Sequence, residues 1–146
     1  MGKRKPIALA YAGPNGSGKT TVTRNLPAFG TYINADDIKE KYGLTDIEAA
    51  KHADILRNSL LDNNMDFSFE TVLSTTRNLS LFEKAKTHGY EIQCIYVLTC
   101  DESINIARVK ARKAAGGHDV PEEKIHTGYL NCIQIAFGLN PHYENC

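Results

Sequence analysis

The 146-residue chain contains no tryptophan, only two methionines and no excess of charge of either sign. Its 17 basic and 17 acidic residues cancel, so the overall charge favours neither nucleic acid nor an anionic membrane as a partner. No apolar run approaches the length that a membrane span requires. A function that depends on charge must therefore arise from a local cluster of residues.

The cysteine spacings that are typical of metal sites and disulfide frameworks are also missing. Cys94, Cys100, Cys132 and Cys146 form no CxxC pair, and a single domain of this length does not need disulfides. We therefore expect reduced thiols and a cytoplasmic protein. The start, "MGKRKPIALAYAG", has the basic residues and short apolar run of a signal peptide. It leads directly into a glycine-rich segment that belongs inside a fold, so we expect no cleaved leader.

The apolar patterns predict alternating strands and helices in one domain, residues 1–146. Strands are predicted at 6–13, 30–36, 66–73 and 90–99. Helices are predicted at 18–25, 45–64, 76–89, 102–115 and from Pro121 onward. This order predicts an α/β fold, with a central parallel sheet of four to five strands and helices on both faces.

The glycine-rich segment after the first strand matches the phosphate-binding pattern G-x-x-x-x-G-K-[ST]. Its backbone N–H groups and the start of the next helix attract phosphate oxygens, while its lysine reaches the β- and γ-phosphates and its threonine hydroxyl holds Mg²⁺. The predicted nucleotide-binding residues are Gly13, Asn15, Gly16, Ser17, Gly18, Lys19, Thr20 and Thr21. We interpret the domain as a three-layer P-loop NTPase fold of the nucleoside-kinase type, with ATP or GTP and Mg²⁺ as ligands.

Polar residues follow the second strand, at the sheet edge where ligands of open parallel sheets bind. Asn34, Asp36 and Asp37 stand there. A carboxylate beside the γ-phosphate can accept the proton of an attacking hydroxyl, and we favour Asp36 for that role. Asp37 would then cap a helix. The alternative is that both aspartates serve only as a helix cap and a first-turn acid.

The third strand brings a second acidic group to the same edge. Its end contains Glu70 and Thr71, followed by Ser74 and Thr75. A carboxylate in a buried strand needs a partner or a ligand. Glu70 is therefore either part of the site or one half of a structural ion pair.

The predicted helix at 102–115 is strongly basic. Arg108 and Arg112 stand four residues apart on one face, so both can point at the same polyanion. The adjoining "GGHDVP" supplies a glycine hinge, which indicates a lid at about 103–120 that closes over the phosphates. The alternative is a solvated charged face. His118 could be a capping or packing residue and decides nothing alone.

Together these blocks resemble the zeta-toxin-like kinases. The matching segments are "GPNGSGKTT", "INADDI", "FSFETVLS", "GYEIQCIYV" and "ARVKARKAAGGHDVPEEKI", in family order and spacing. The resemblance implies transfer of phosphate from ATP or GTP, with Mg²⁺, to a sugar hydroxyl of a UDP-N-acetyl amino sugar. It implies that Asp36 is the base, that Glu70 and Thr71 bind the acceptor, and that the arginines stabilise phosphate. We expect Asn34 and Asp36, at the neighbouring strand end, to contact the acceptor as well. An antitoxin-like protein is a further implied partner.

Two features depart from the family. His126, Thr127 and Gly128 stand where arginines usually precede a tyrosine, and the chain ends at "NPHYENC" where the family continues into another strand. We therefore expect the sheet to lack its last strand, in a shortened copy with impaired activity or in an incomplete chain. The remaining alternatives are a small P-loop kinase for another hydroxyl, or a toxin remnant that binds a nucleotide and an antitoxin-like protein without turnover.

Overall fold

The computed structural model describes residues 2–74 and 76–136. Its described strands are β1 (Ile7–Ala12), β2 (Thr31–Ile33), β3 (Phe67–Thr71) and β4 (Glu91–Tyr96). They form one sheet in the order β2-β3-β1-β4, and every pairing is parallel. Its helices are α1 (Lys19–Asn25), α2 (Ala35–Tyr42), α3 (Asp46–Asp62), α4 (Leu79–Thr87), α5 (Glu102–Ala114) and α6 (Glu122–Ala136). The predicted α/β fold, a parallel sheet flanked by helices, is confirmed.

The centre of the sheet pairs small with large side chains. In the register between β1 and β3, Ala8 lies beside Phe67 and Ala10 beside Phe69. All four residues are buried in the main core cluster. The Phe69 ring also lies 6.4 Å from the ring of Phe82 on α4. Alanines on the central strand therefore leave room for aromatic rings, which fill the space between the sheet and α4.

For helix α2, the sequence patterns indicated only a helix start at the two aspartates and gave no bounds. Its N-cap is Asn34, whose Oδ1 accepts a hydrogen bond from the backbone N–H of Asp36 at 2.9 Å. Asp36 and Asp37 stand in the first turn, where carboxylates interact favourably with the positive helix end. The prediction that Asp37 caps this helix was wrong, because Asn34 takes that position.

Helix α3 begins as its sequence predicted. The Thr45 side chain accepts a hydrogen bond from the Glu48 N–H, and the Glu48 carboxylate accepts one from the Thr45 N–H. This capping box satisfies two backbone donors that the first helical turn leaves unpaired. The start of α3 is thereby fixed beside the end of α2.

The parallel register brings the polar strand ends together. Ala12, the last residue of β1, lies beside Thr71 at the end of β3, and the Gly13 N–H donates to the Thr71 carbonyl at 3.2 Å. Ile33 at the end of β2 lies beside Phe69. The segments after β1, β2 and β3 therefore meet at one sheet edge. No helix in the described part of the chain is both long and apolar enough to cross a bilayer.

Candidate active site

The loop of residues 13–20 leaves the central strand and opens into α1. A Cβ atom on Gly13 would lie 2.2 Å from the Val97 carbonyl oxygen, so only glycine allows the loop to pass β4 this closely. Gly16 has a left-handed φ of 77° and packs against the backbone of α5. Gly18 precedes α1 without a side-chain cap, which leaves the first N–H groups of that helix available to an anion.

The ammonium group of Lys19 lies across the mouth of this loop. Its Nζ donates to the carbonyl oxygens of Gly13 at 2.7 Å and Pro14 at 3.1 Å. Burial lowers the pKa of Lys19, while the negative charge of Glu70 opposes that shift. The loop carbonyls therefore hold a desolvated cation where a polyphosphate would meet the backbone donors.

Glu70 lies at the centre of a network of hydroxyl groups. Its Oε2 accepts a hydrogen bond from Thr20 Oγ1 at 3.1 Å, and its Oε1 accepts from Thr23 Oγ1 at 2.8 Å and from the Tyr32 hydroxyl at 2.7 Å. Asn34 Nδ2 donates to the Tyr32 oxygen at 3.2 Å. Burial raises the pKa of Tyr32 to about 12, and the bond to Glu70 adds to the rise. These contacts give the carboxylate a single orientation.

A first cavity of about 210 Å³ joins the loop to the ends of β2 and β3. Its lining includes Asn15, Gly16, Gly18, Lys19, Thr20, Thr21, Asn34, Ala35, Asp36, Glu70, Thr71 and Val72. The structure thus brings most of the predicted nucleotide- and substrate-binding residues to one place. Gly13 and Ser17 support the loop from behind, since the Ser17 hydroxyl is buried and lies against the Gly13 backbone.

A second cavity of about 360 Å³ lies beside the first, with which it shares the lining residues Ala35, Glu70, Thr71 and Val72. Its other lining residues are Ile33, Ala50, Ala53, Arg57, Leu73, Ser74 and Asn78. The Thr71 hydroxyl accepts hydrogen bonds from the Leu73 N–H at 3.1 Å and from Asn78 Nδ2 at 2.7 Å. Thr75 lies outside the described residues. Two adjacent cavities of this kind can place a donor and an acceptor of one reaction side by side.

The two arginines of α5 make different contacts. Arg108 Nη1 donates to the carbonyl oxygens of Gly16 at 3.4 Å and Ser17 at 3.3 Å, so it lies against the loop. Arg112 Nε donates to the His118 carbonyl at 3.1 Å and holds the segment after α5. His118 is an exposed residue, so it is not part of the packed core. Only Arg108 therefore touches the phosphate-binding loop in this conformation.

Asn105 is a site residue that the sequence patterns missed. It is fully buried on α5, and its Nδ2 donates to the Asn15 carbonyl at 2.9 Å while its Oδ1 accepts from the Thr99 hydroxyl. The available signal was its position one turn before Val109, on the apolar face of the helix. A polar residue on a buried face needs a partner, and here that partner is the loop.

The segment that departs from the zeta-toxin-like pattern lies on α6. His126 Nδ1 pairs with Glu102 Oε2 at 2.5 Å, which ties α6 to the start of α5. Gly128 is buried, and a Cβ atom there would contact Val72 Cγ1 at 3.7 Å. Position 128 therefore faces the wall that both cavities share.

Comparison with known proteins agrees with this geometry. The family model described as an AAA domain matches residues 10–125, which include the loop, the strand ends and α5. The chain belongs to the AAA domain family. An uncharacterised protein of Haemophilus influenzae is 31% identical to this AAA-domain chain over 128 residues, which is 84% of the chain and 91% of that protein.

Three solved structures share the fold of the AAA-domain chain. A chain of the Pnkp1/Rnl/Hen1 RNA repair complex superposes with a TM-score of 0.71 at 17% identity, over 95% of this chain and 48% of that one. A candidate kinase from Chloroflexus aurantiacus superposes with a TM-score of 0.64 at 15% identity, over 88% of this chain and 79% of that one. A chain of the PezAT chromosomal toxin–antitoxin system of Streptococcus pneumoniae superposes with a TM-score of 0.56 at 21% identity, over 79% of this chain and 57% of that one.

The AAA-domain chain therefore spans about half the length of the repair-complex chain that it matches. At these identities, the likeness shows a shared P-loop NTPase-like fold. The phosphate-binding loop within the matched region implies that the domain binds a nucleotide.

Proposed function

We propose that this AAA-domain protein is a cytoplasmic phosphotransferase of the zeta-toxin type, which transfers the γ-phosphate of ATP or GTP to a sugar hydroxyl. A UDP-N-acetyl amino sugar is the proposed acceptor. The observation that carries the proposal is the pair of adjacent cavities, with the phosphate-binding loop in the first and the shared residues Glu70 and Thr71 between them. A donor in one cavity and an acceptor in the other would meet beside Asp36.

Lys19 and the loop N–H groups would hold the polyphosphate, and Asp36 would act as base. Asp36 lines the first cavity from the first turn of α2. In the reaction, the acceptor hydroxyl oxygen forms a bond to the γ-phosphorus while the bond from that phosphorus to the β–γ bridging oxygen breaks. The hydroxyl proton moves to Asp36, and the nucleoside diphosphate leaves with the bonding pair. Arg108, beside the loop, would stabilise the phosphate charge.

The donor atoms around Thr20 fit Mg²⁺. The Thr20 hydroxyl and the Glu70 carboxylate are hard oxygen donors 3.1 Å apart, and both residues line the first cavity. A hydroxyl that donates to a carboxylate retains its lone pairs, so Thr20 could ligate a cation without losing Glu70. Bound there, the ion would neutralise charge on the β- and γ-phosphates.

The decisive experiment combines the protein with radiolabelled ATP and GTP and a panel of acceptors. The panel contains UDP-N-acetylglucosamine, other UDP-sugars, N-acetylglucosamine and an oligoribonucleotide with a free 5′-hydroxyl, and the Asp36→Asn variant is the control. Transfer of label to a UDP-sugar by the wild-type protein, and not by the Asp36→Asn variant, would support the proposal. Label on another small hydroxyl compound would indicate a different P-loop kinase, and label on the oligoribonucleotide would overturn the sugar acceptor.

A second candidate function is a nucleotide-binding module that engages an antitoxin-like protein without turnover. It is favoured by His126, Thr127 and Gly128, which stand where an arginine would contact phosphate in the family. It predicts that Mg-ATP or Mg-GTP binds but that neither nucleotide is consumed with any acceptor. Transfer of label in the same experiment would exclude it.

A further inference from the structure

One face of α3 forms a wall of the second cavity. Ala50, Ala53 and Arg57 all line this cavity, and their spacing of three and four residues places them on the same side of the helix. The two alanines leave space, and the arginine stands one turn further along. The same wall therefore combines room for a ligand with a positive charge.

The Arg57 guanidinium is held in place and incompletely satisfied. Its side chain is 12% exposed, and its Cζ lies 5.1 Å from the centre of the Phe69 ring. One terminal nitrogen pairs with Asp54, whose side chain is 45% exposed and so remains partly solvated. The Nε atom is buried and has no hydrogen-bond partner among the described residues.

A cation in this state has a clear chemical requirement. A guanidinium offers five N–H donors in a planar fork, and a nearly buried one is costly unless more than one donor is paired. The Phe69 ring lies against the guanidinium and attracts its charge but supplies no acceptor. The groups that match a planar fork best are the oxygens of a phosphate or a carboxylate.

The other charged group of the second cavity does not satisfy Arg57. Glu70 lines the cavity, but its two oxygens accept hydrogen bonds from Thr20, Thr23 and Tyr32 on the side of the loop. The cavity volume of about 360 Å³ falls within the range of small-molecule sites, roughly 300–1,000 Å³. Arg57 is thus left to meet an anionic group on a small ligand.

We propose that Arg57 binds a phosphate or diphosphate group of the acceptor in the second cavity, so that the acceptors are phosphorylated small molecules with a free hydroxyl. This inference rests on the proposed function only in naming the ligand of the second cavity as the acceptor. The anionic group lies at Arg57, and the hydroxyl lies on the side of the shared residues Glu70 and Thr71, toward Asp36 of the first cavity. Arg57 acts in binding and specificity and takes no part in proton or phosphate transfer.

The test is calorimetry with matched pairs of probes: UDP-N-acetylglucosamine with N-acetylglucosamine, and glucose 6-phosphate with glucose. Arg57→Gln removes the charge, and Arg57→Lys keeps the charge but loses the fork. Lys51→Gln, an exposed cation of the same helix, is the matched control. We expect a phosphorylated probe to bind the wild-type protein at least tenfold more tightly than its neutral counterpart. Arg57→Gln should abolish that preference, Arg57→Lys should reduce it, and Lys51→Gln should leave it intact.

The inference is overturned if neither phosphorylated probe binds better than its neutral counterpart. It is also overturned if Arg57→Gln retains the wild-type preference, or if a 5′-hydroxyl oligoribonucleotide binds in the second cavity in place of the small probes. Should Arg57→Gln fail to fold, as judged by thermal unfolding, Arg57→Lys decides the matter through its own loss of preference.

Binding of Mg-ATP and transfer of label are measured in parallel, which separates this inference from the proposed function. An Arg57-dependent preference without label transfer would reject the phosphotransferase and retain the anion site. Equal transfer of label to neutral and phosphorylated sugars, unaffected by Arg57→Gln, would retain the phosphotransferase and reject the anion site at Arg57.

Discussion

Glu70 Oε2 accepts a hydrogen bond from the hydroxyl of Thr20 at 3.1 Å, which joins the end of β3 directly to the phosphate-binding loop. Fifty residues separate the two in sequence. The resemblance to zeta-toxin-like kinases implies that Glu70 contacts the acceptor, and its position on the shared wall of both cavities is compatible with that role. The hydrogen bond adds a contribution on the nucleotide side, because it orients the proposed metal ligand.

Replacement of Asp36 by asparagine should abolish chemistry and preserve binding. The variant keeps the shape of the side chain but cannot accept a proton, so phosphate transfer in a single turnover should fall by roughly 10²–10⁴. Affinity for Mg-ATP, measured by calorimetry, should stay within about twofold. Asp37→Asn, on the same helical turn, is the control and should retain turnover. Parallel losses of affinity and rate in Asp36→Asn would remove Asp36 from the role of base.

Lys19→Ala should weaken nucleotide binding and stop turnover. The ammonium group is the cation placed against the loop carbonyls, and its loss removes the charge that meets the polyphosphate. We expect Mg-ATP affinity to fall at least tenfold, which corresponds to about 1.4 kcal/mol. Lys51→Ala on the exposed side of α3 is the control. An unchanged dissociation constant for Lys19→Ala would contradict a phosphate role for this lysine.

The raised pKa of Tyr32 predicts a loss of stability at high pH. Burial raises this pKa from 10.0 to about 12, so the native state favours the neutral phenol. The corresponding stabilisation is complete below pH 10 and is lost as the pH rises toward 12. Denaturant unfolding across this window should therefore show a falling free energy of unfolding, and Tyr32→Phe should reduce the slope. Tyr42→Phe, at an exposed tyrosine, should leave the slope as in the wild type.

Asn105→Ala should loosen the phosphate-binding loop. The substitution removes the donor to the Asn15 carbonyl and one of the two acceptors of the Thr99 hydroxyl, which keeps the Asp101 carbonyl. We expect a loss of about 1–3 kcal/mol in the free energy of unfolding, together with weaker Mg-ATP binding. The control is Asn63→Ala, which removes an exposed side-chain hydrogen bond to the Ser59 carbonyl. It should change the free energy of unfolding and the affinity for Mg-ATP by much less. Destabilisation with normal nucleotide affinity would show that the loop keeps its shape without Asn105.

Arg108→Ala and Arg112→Ala should differ in their effect on phosphate transfer. Arg108 already touches the loop, whereas Arg112 is engaged with the His118 carbonyl. Single-turnover transfer should fall by at least about 10² in Arg108→Ala and by less in Arg112→Ala. Wild-type rates in both variants would show that the two arginines form only a solvated charged face of α5.

The sequence predicted the features that are encoded by neighbouring residues. The phosphate-binding pattern, the four described strands and the capping box at Thr45 all depend on short spacings, and each can be read without knowledge of the fold. Helix α2 was given no bounds because it has only eight residues and buries a single side chain, Ile38, so few apolar positions mark it. Its cap, Asn34, was assigned to the end of the preceding strand for the same reason.

The features that the sequence did not predict depend on packing between distant segments. Tyr32 reaches Glu70 across 38 residues, and Asn105 reaches Asn15 across 90. The parallel sheet order β2-β3-β1-β4 creates both contacts. Arg57 looks like an ordinary polar residue of an amphipathic helix until α3 is placed against Phe69. The identity of a buried partner cannot be derived from local periodicity.

The close approach of Gly16 to α5 has a mechanical consequence. A Cβ atom at Gly16 would lie 2.4 Å from the Asn105 carbonyl oxygen, so the two backbones touch with no side chain between them. A shift of the loop against α5 must therefore move the helix as well. The exposed thiol of Cys100, just ahead of that helix, offers an attachment point for a fluorophore that would report nucleotide arrival without contacting the nucleotide.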